Sequence, residues 1–412
     1  MMNKVHKIND LGGPLKEYLG PRRELIDYET KYLTSVGENY GSLMLAVILK
    51  IKNKETNAEE HVNVIAKMCP LSDILKKAFN VNVTVKKEIV IYTKFFEILK
   101  QFLKDHEVDD RFDFFAKYFG SRINSHPNAD IVDDDAVIIL ENLKYSGYET
   151  VDRMKGFDYE TSILILKTLA LFHGAVLAYK LLNPEKFKTI FMPHLDAAQN
   201  MEEIFPEEIN RKMISHIINS VSKENETVKD LLPKLKEILE TQSKESNHPL
   251  PPNEPYGVVS HNDLWVNNIM VKFDEGKPSS VKLVDFQIYS YASLARDLIF
   301  FLMTSMELNI MKSHYDEFIN TYQQTLVNLL RKFGCDVSKF SLQNLYEEIA
   351  YVMNHSELFH VLLMFKPIFA ERGMIKDMAE FDMDSFTEYE GTDLYRNRIT
   401  ETIVFAKSKG WL

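Results

Sequence analysis

The amino-acid sequence predicts an α+β protein with two lobes, a small β-rich N-terminal lobe and a larger, mainly helical C-terminal lobe. Three observations lead to this prediction. Strand-like alternation falls largely before residue 141, helical spacing falls largely after residue 147, and a buried type of strand at residues 136–143 lies at the boundary. We therefore expect an N-terminal lobe over residues 1–140, a hinge over 141–147 and a C-terminal lobe over 148–412.

The first two strand-like runs, residues 27–34 and 43–52, flank a loop that contains two glycines. Glycine lets backbone N–H groups come close to a bound phosphate, so this unit is a candidate nucleotide loop. An ordinary hairpin loop carries similar residues and fits the pattern equally well. The candidate residues of the loop are Gly37, Asn39, Gly41 and Ser42.

The third strand-like run, residues 61–68, carries Lys67, and the spacing predicts a helix over residues 84–103. Glu88 lies on the apolar stripe of that helix. A carboxylate on an apolar face needs a partner, because burying it unpaired is costly. Many lysines on strands are merely exposed. Lys67 is nevertheless the obvious partner for this carboxylate, and we predict a Lys67–Glu88 ion pair.

The segment 258–286 predicts a β-hairpin. Two β-prone runs, residues 269–273 and 281–285, are separated by Asp-Glu-Gly-Lys-Pro-Ser-Ser, which is rich in turn residues. With the middle of the turn near residues 276 and 277, Asn268 and Asp285 are equally far from it. We therefore expect these two side chains to face one another at the open end of the hairpin.

The polar residues at this open end fit phosphoryl transfer from a nucleotide. That reaction needs a carboxylate to receive a hydroxyl proton and oxygen ligands to hold Mg²⁺ on the phosphates. Asp263, in the segment that leads into the hairpin, can be the proton acceptor, and Asn268 with Asp285 can hold the ion. A His-x-Asp triplet alone would fit an ordinary surface hairpin. The complete set on a predicted hairpin favours the chemistry.

The string His261-Asn-Asp-Leu-Trp-Val-Asn-Asn-Ile-Met, followed by Lys-Leu-Val-Asp285-Phe-Gln, resembles the ecdysteroid kinase-like (CHK kinase-like) family. That family lies in the aminoglycoside phosphotransferase and choline kinase branch of the protein-kinase-like superfamily. The resemblance implies a two-lobed protein-kinase-like fold, with Asp263 as the catalytic base and Asn268 and Asp285 as Mg²⁺ ligands. Gln287 stands where protein kinases have the glycine of Asp-Phe-Gly, so we do not expect that segment to flip.

The resemblance also implies a nucleotide site in the N-terminal lobe, with ATP as the phosphoryl donor. Lys67, oriented by Glu88, would grip the α- and β-phosphates. Backbone groups near Glu141 and Leu143, at the end of the hinge strand, would meet the adenine. A central strand followed by a turn is the local alternative for these two hinge residues.

The resemblance further implies a small-molecule hydroxyl as the acceptor, most simply an ecdysteroid or related steroid, or a xenobiotic alcohol. The segment 351–365 mixes bulky apolar groups with polar side chains, which suits a lipophilic alcohol, and a buried helix fits it equally well. A pseudokinase that binds nucleotide or ligand as a sensor or scaffold remains an alternative. Choline or ethanolamine phosphorylation is a third, although no aromatic and acidic cage is evident. The polar residues are Asn354, His355, Glu357 and His360.

Several residues of the C-terminal lobe are predicted to be structural. His173 lies on the apolar stripe of a helix predicted over 157–182 and is expected to be a hydrogen-bonded core residue. Asp297 precedes an apolar run and predicts a helix N-cap, and the resemblance implies that it also steadies the catalytic loop. His261 is expected to brace the same loop. Further helices are predicted at 206–246, 315–333 and 342–365, with a proline-rich connector at 247–255.

Composition limits the function classes. The 412 residues are 45% hydrophobic and 26% charged, as in ordinary globular proteins. A formal charge of −11 argues against a nucleic-acid binder, which needs a basic face. Only Cys69 and Cys335 occur, so a disulfide framework is excluded and a reducing compartment is favoured. We expect a cytoplasmic protein with no membrane span, because we find no apolar stretch at the start and no apolar run of about 18 residues. The oligomeric state stays open.

Overall fold

The structure, a computed structural model, describes residues 7–33, 42–108, 112–196, 207–221, 226–245, 250–370 and 391–412. A β-rich N-terminal part is followed by a mainly helical C-terminal part, which confirms the predicted α+β class. The division into lobes at residues 140 and 147 stays a prediction. Of the predicted nucleotide loop, Gly37, Asn39 and Gly41 lie outside the described residues.

The N-terminal part is built on one five-stranded antiparallel sheet with the strand order β1-β2-β3-β5-β4. Four of its strands occur close to where the sequence predicts them, because apolar residues bury one face of the sheet. Lys67 lies near the end of β3 and pairs with Ile138 on β5. The strands are β1 (Arg23–Tyr32), β2 (Leu43–Asn53), β3 (Glu59–Met68), β4 (Tyr118–Arg122) and β5 (Val137–Glu141).

The helix predicted over 84–103 is longer than expected and contains a π-helical turn. It runs as α3 (Val81–Val90), a π turn (Ile91–Phe95) and α4 (Phe96–Asp105). Its aromatic stripe packs into the main core, where the rings of Phe96 and Phe115 stack at 3.8 Å between centroids. The N-terminal part also contains two short helices, α1 (Lys16–Leu19) and α2 (Asp73–Ala78).

The helical part surrounds helix α5 (Tyr159–Leu182), which packs against the long helix at Leu308–Lys332. Helix α5 is long and apolar enough to cross a membrane, but 78% of its most apolar window is buried inside the protein. The expectation that no run reaches that length was therefore wrong, although burial accounts for the apolar composition. The other helices are α6 (Pro184–Ile190), α7 (Glu207–Ser220), α8 (Glu226–Lys229), α9 (Leu232–Glu245), α10 (Leu294–Ser305), α11 (Leu308–Lys332), α12 (Leu342–Val352), α13 (Leu358–Phe369) and α14 (Asp393–Ser408).

Two small sheets carry the predicted catalytic segment. Strands β6 (Tyr148–Glu149), β8 (Ile269–Asp274) and β9 (Lys277–Leu283) form one, and β7 (Gly257–Ser260) pairs with β10 (Ser290–Ser293) in the other. The predicted hairpin is thus formed by β8 and β9. These sheets hold both ends of the loop that joins β7 to β8.

The register of the hairpin differs from the prediction by one residue. The turn is centred on Glu275 and Gly276, and a bulge between Lys272 and Phe273 shifts the pairing. The N–H of Val284, rather than of Asp285, therefore donates to the carbonyl of Asn268, at 3.0 Å. The expectation that Asn268 and Asp285 lie directly opposite one another was wrong, and Asp285 follows one residue beyond.

Two helix boundaries also differ from the sequence-based expectation. Ser293, and not Asp297, caps α10, because its hydroxyl accepts from the N–H of Ala295. The helix predicted over 342–365 is divided by a π turn at Met353–Glu357. The side chain of Gln242 satisfies the backbone there, donating to Met353 O and accepting from Phe359 N, each at 2.8 Å.

Candidate active site

The loop between β7 and β8 is held from behind by the carboxylate of Asp297 on helix α10. Asp297 accepts from the backbone N–H groups of His261 at 2.6 Å and Asn262 at 2.8 Å, and it contacts His173 Nε2 at 3.1 Å. Asn262 has φ +65°, so these bonds hold a left-handed backbone conformation in the loop. Burial by itself raises the pKa of Asp297, but the hydrogen bond from His173 and its neighbours lower it. Asp297 is therefore a brace of the loop.

Two histidines fill structural positions, as the sequence indicated. His173 is buried, and its Nδ1 lies 2.6 Å from the hydroxyl of Tyr322. His261 is also buried, with Nε2 donating to Val284 O at 3.0 Å and Nδ1 accepting from the N–H of Asp263 at 3.3 Å. Burial lowers the pKa of His261, so it stays neutral and joins the loop to strand β9's end.

Asp263 and Asn268 are joined by a direct side-chain contact. The amide of Asn268 donates to both the carbonyl and Oδ2 of Asp263, each at 2.7 Å. With its nitrogen engaged in this way, Asn268 can present its Oδ1 as a ligand. Burial raises the pKa of Asp263 to about 8, with a further contribution from the charge of Asp285, while hydrogen bonds from Asn268 and Trp265 act in the opposite direction. The carboxyl of Asp263 is thus oriented and close to a second acid.

Lys67 connects the sheet to the end of the hairpin. Its Nζ lies 2.6 Å from Glu88 Oε2 and 2.6 Å from Asp285 Oδ1, so the structure forms the predicted Lys67–Glu88 ion pair. Burial by itself lowers the pKa of Lys67, but the charges of Asp285 and Glu88 more than offset this and raise it. Lys67 therefore remains a cation. Asp285 has φ +67°, a conformation rare outside glycine and common at functional sites.

These residues fit a cation and a phosphate. Glu88 and Asp285 place two carboxyl groups on the ammonium of Lys67, and the charge of Asp285 also acts on the carboxyl of Asp263. Oε1 of Glu88 is buried with no hydrogen-bond partner in the described part of the chain. Such excess acidity is relieved by a divalent cation, which also lowers carboxyl pKa values. No group of three His, Cys, Asp or Glu among the described residues is arranged to hold a metal alone. Mg²⁺ would suit the site because it accepts few protein ligands and keeps water or phosphate oxygens.

The hinge residues offer one backbone donor. The N–H of Leu143 has no acceptor in the part of the chain that the structure describes, whereas its carbonyl accepts from Ser146 N and Tyr148 N, each at 3.0 Å. The N–H of Glu141 donates to Lys117 O at 2.8 Å. Leu143 can therefore use its N–H toward an adenine, but its carbonyl is already engaged. Ser42 is half-buried and immediately precedes β2.

The polar residues of the predicted acceptor segment differ in burial and in their contacts. Glu357 is buried and pairs with Arg296 at 2.5 Å and with His360 at 3.2 Å, which gives it a structural place. Asn354 is exposed, and His355 bonds to the carbonyl of Tyr351 at 2.7 Å. Sequence reasoning did not identify Lys87, which is buried on the helix that carries Glu88 and contacts Asp196 and Tyr289. No local pattern distinguishes this lysine from its half-buried neighbour Lys86.

Comparison with known proteins assigns the chain to a family. The family model described as "Ecdysteroid kinase-like family" matches residues 36–335. No curated protein matches the chain. A Plasmodium vivax ethanolamine kinase structure is 14% identical with a TM-score of 0.40, covering 93% of this chain and 84% of its own. The GDP complex of an aminoglycoside phosphotransferase mutant is 11% identical with a TM-score of 0.41, covering 94% of each chain.

A third structure, a GDP and kanamycin complex of an aminoglycoside phosphotransferase, is 11% identical with a TM-score of 0.34, covering 80% of this chain and 85% of its own. The family model establishes the family of the chain, because it matches most of the sequence. The matched residues include the whole candidate site from Lys67 to Asp285. The chain belongs to the ecdysteroid kinase-like family of small-molecule phosphotransferases.

Proposed function

We propose that the protein is an ATP- and Mg²⁺-dependent kinase that phosphorylates a hydroxyl of a small lipophilic molecule, an ecdysteroid or related steroid, or a xenobiotic alcohol. One observation carries this proposal. A buried lysine, its helix glutamate and the carboxylate that follows the hairpin are linked by two contacts of 2.6 Å, next to an oriented aspartate. Phosphoryl transfer needs these groups together.

Asp263 is the proton acceptor in the proposed reaction. The acceptor hydroxyl loses its proton to a carboxylate oxygen of Asp263, its oxygen forms a bond to the γ-phosphorus, and the bond to the ADP oxygen breaks. Asn268 orients Asp263 through the 2.7 Å contact with Oδ2. A positioned base of this kind contributes about 10²–10⁴-fold to the rate.

Asn268 and Asp285 are the proposed ligands of the metal, through their side-chain oxygens. Bound Mg²⁺ supplies positive charge that neutralises the nucleotide phosphates. Lys67 supplies further positive charge, and Glu88 keeps its ammonium oriented within the buried site. Leu143 offers its backbone N–H to the adenine. Ser42 is the one candidate residue of the proposed phosphate loop that lies among the described residues.

A lipophilic acceptor agrees with the helices that follow the site. Helices α12 and α13 carry bulky apolar side chains that are only partly buried, among them Tyr351, Leu363 and Met364. Apolar walls with few polar groups bind lipophilic molecules. The family name points to the same class of acceptor.

The proposal is tested by incubating the purified chain with radiolabelled ATP, Mg²⁺ and a panel of acceptors. The panel contains several ecdysteroids, other sterols, phenolic and alcoholic xenobiotics, and choline and ethanolamine. We expect label on a steroid or xenobiotic alcohol, lost in the Asp263→Asn variant. Label on choline or ethanolamine alone would overturn the acceptor class. Nucleotide binding without transfer to any member of a broad panel would instead favour a nucleotide-binding sensor.

A further inference from the structure

Lys87 precedes Glu88 on helix α3 and is buried, with 7% of its surface exposed. Its ammonium donates to the backbone carbonyl of Asp196 and lies 4.6 Å from the centre of the Tyr289 ring. Taking a lysine ammonium out of water is costly, and burial lowers the pKa of Lys87 to about 8. A carbonyl acceptor and an aromatic face offset part of that cost. Lys87 is therefore held in one place on the helix.

Tyr289 holds the main chain of the same residue. Its hydroxyl donates to the carbonyl oxygen of Lys87 at 3.0 Å, and the ring is fully buried. Tyr289 follows Asp285 by four residues and also contacts Phe95, with 5.7 Å between ring centroids. One tyrosine thus joins the segment after the proposed metal ligand to both the main chain and the side chain of Lys87.

The short segment 191–196 supports this contact from the other side. Phe191 stacks on Phe95 at 4.3 Å, and His194 Nε2 lies 3.1 Å from Lys94 Nζ. The carbonyl of Leu195 accepts from the N–H of Tyr291 at 3.1 Å, so the segment also binds strand β10. Residues 191–196 therefore contact the helix that carries Glu88 and the strand that follows the catalytic hairpin.

Successive residues of a helix point about 100° apart, so the directions of Lys87 and Glu88 are linked through one backbone. Any rotation of α3 that withdraws Glu88 from Lys67 also breaks the contacts of Lys87 with Tyr289 and Asp196. We propose that Lys87 is a positioning residue that, through Tyr289 and Asp196, sets the rotation of helix α3 and so keeps Glu88 on Lys67. This inference rests on the proposed function only in that Lys67 engages the nucleotide.

A double-mutant cycle on the full chain tests the inference. The dissociation constant of MgATP is measured by calorimetry for the wild type, Lys87→Met, Glu88→Gln and the double variant. We expect Lys87→Met to weaken MgATP binding about tenfold in the wild-type background and less than about twofold in the Glu88→Gln background, because both changes act through one contact. Lys86→Met is the matched control and should leave binding unchanged, because the half-buried Lys86 pairs with Asp130 and not with Tyr289 or Asp196.

Equal losses in the two backgrounds, or unchanged binding in Lys87→Met, would overturn the inference. Tyr289→Phe removes only the hydroxyl that bonds Lys87 and is the milder variant if Lys87→Met does not fold. We expect it to weaken MgATP binding about two- to fivefold with the same dependence on Glu88. Tyr291→Phe, whose hydroxyl bonds Glu254 instead, is its control. A wild-type protein that binds no MgATP would overturn the proposed function itself, whereas normal binding in Lys87→Met and Tyr289→Phe together with weakened binding in Glu88→Gln would overturn only the role of Lys87.

Discussion

Lys67 Nζ and Asp285 Oδ1 lie 2.6 Å apart although the two residues are 218 positions apart in the chain. The contact joins the N-terminal sheet directly to the residue that follows the catalytic hairpin. The lysine side chain is 8% exposed and the aspartate side chain 31% exposed, so Asp285 is the more accessible member of the pair. A ligand that reaches Asp285 therefore meets the proposed metal ligand 2.6 Å from the ammonium.

Asp285→Ala should weaken the binding of MgATP and raise the Mg²⁺ concentration needed for half-maximal binding by at least about tenfold, because a charged ligand is lost. A magnesium titration at constant ATP, followed by calorimetry, measures this. Asp274→Ala, an exposed carboxylate in the same hairpin, is the control. Unchanged metal dependence in Asp285→Ala would count against the ligand role.

Asp263→Asn should reduce kcat by about 10²–10⁴-fold, because asparagine cannot accept the acceptor's proton. Nucleotide binding should stay within about twofold of the wild type, since the side chain keeps its shape. Single-turnover transfer from labelled ATP measures the first quantity and calorimetry the second. Asp274→Asn, at a carboxylate outside the proposed site, is the control. Turnover equal to wild type in Asp263→Asn would contradict the role of Asp263 as the base.

Asp297→Asn should lower both turnover and the free energy of unfolding. The carboxylate accepts two backbone N–H groups of the catalytic loop, and an amide can leave one of these donors unpaired, at a cost of about 1–3 kcal/mol. Chemical denaturation and steady-state kinetics measure the two effects. Tyr322→Phe removes a hydroxyl that contacts His173 and not the loop itself. It should therefore lower the free energy of unfolding by less than Asp297→Asn does. A fully active Asp297→Asn variant would contradict the bracing role.

Glu357 should stabilise the fold by an amount that depends on pH. Burial by itself raises its pKa, but Arg296 and His360 lower it to about 2, from an ordinary value of 4.5. Because the folded pKa lies below the unfolded one, the stabilisation is complete above about pH 4.5 and is lost as the pH falls toward 2. The shift corresponds to about 3 kcal/mol for this buried group.

Glu357→Gln should therefore be less stable than the wild type by about 3 kcal/mol at pH 7, and the difference should narrow as the pH falls below 4.5. Chemical denaturation of both proteins at pH 7, 5, 4 and 3 follows this difference. Glu347→Gln, on the exposed face of α12, should show almost no difference at any pH. A Glu357→Gln deficit that stays constant with pH would contradict the assignment.

Much of the site was predictable because its members follow local rules. The hairpin followed from two β-prone runs around a turn, and the Lys67–Glu88 pair followed from a carboxylate on an apolar helix stripe. His173 was correctly predicted as a buried, hydrogen-bonded residue. The predictions were wrong where the result depended on the conformation of one residue. A bulge beside Lys272 displaced the register, and the side chain of Asp297 turned to the loop instead of capping its helix.

Other features had no local signal. Lys86 and Lys87 are identical as residues, yet only Lys87 is buried, because Tyr289 and Asp196 lie against its side of the helix. Glu357 resembled a polar group of an acceptor pocket, but Arg296 and His360 enclose it. In both cases the partner is distant in the chain, and spacing within one element cannot reveal it.

The sequence by itself determined the family, the α+β class and the order of the chemically active groups, because these depend on residue types at short, fixed spacings. Only the tertiary structure decided that Lys67 contacts both Glu88 and Asp285, that the hairpin is offset by one residue, and that Lys87 is buried. The physical reason is that contact, register and burial depend on how elements far apart in the chain pack against one another, whereas side-chain chemistry is already present in each residue.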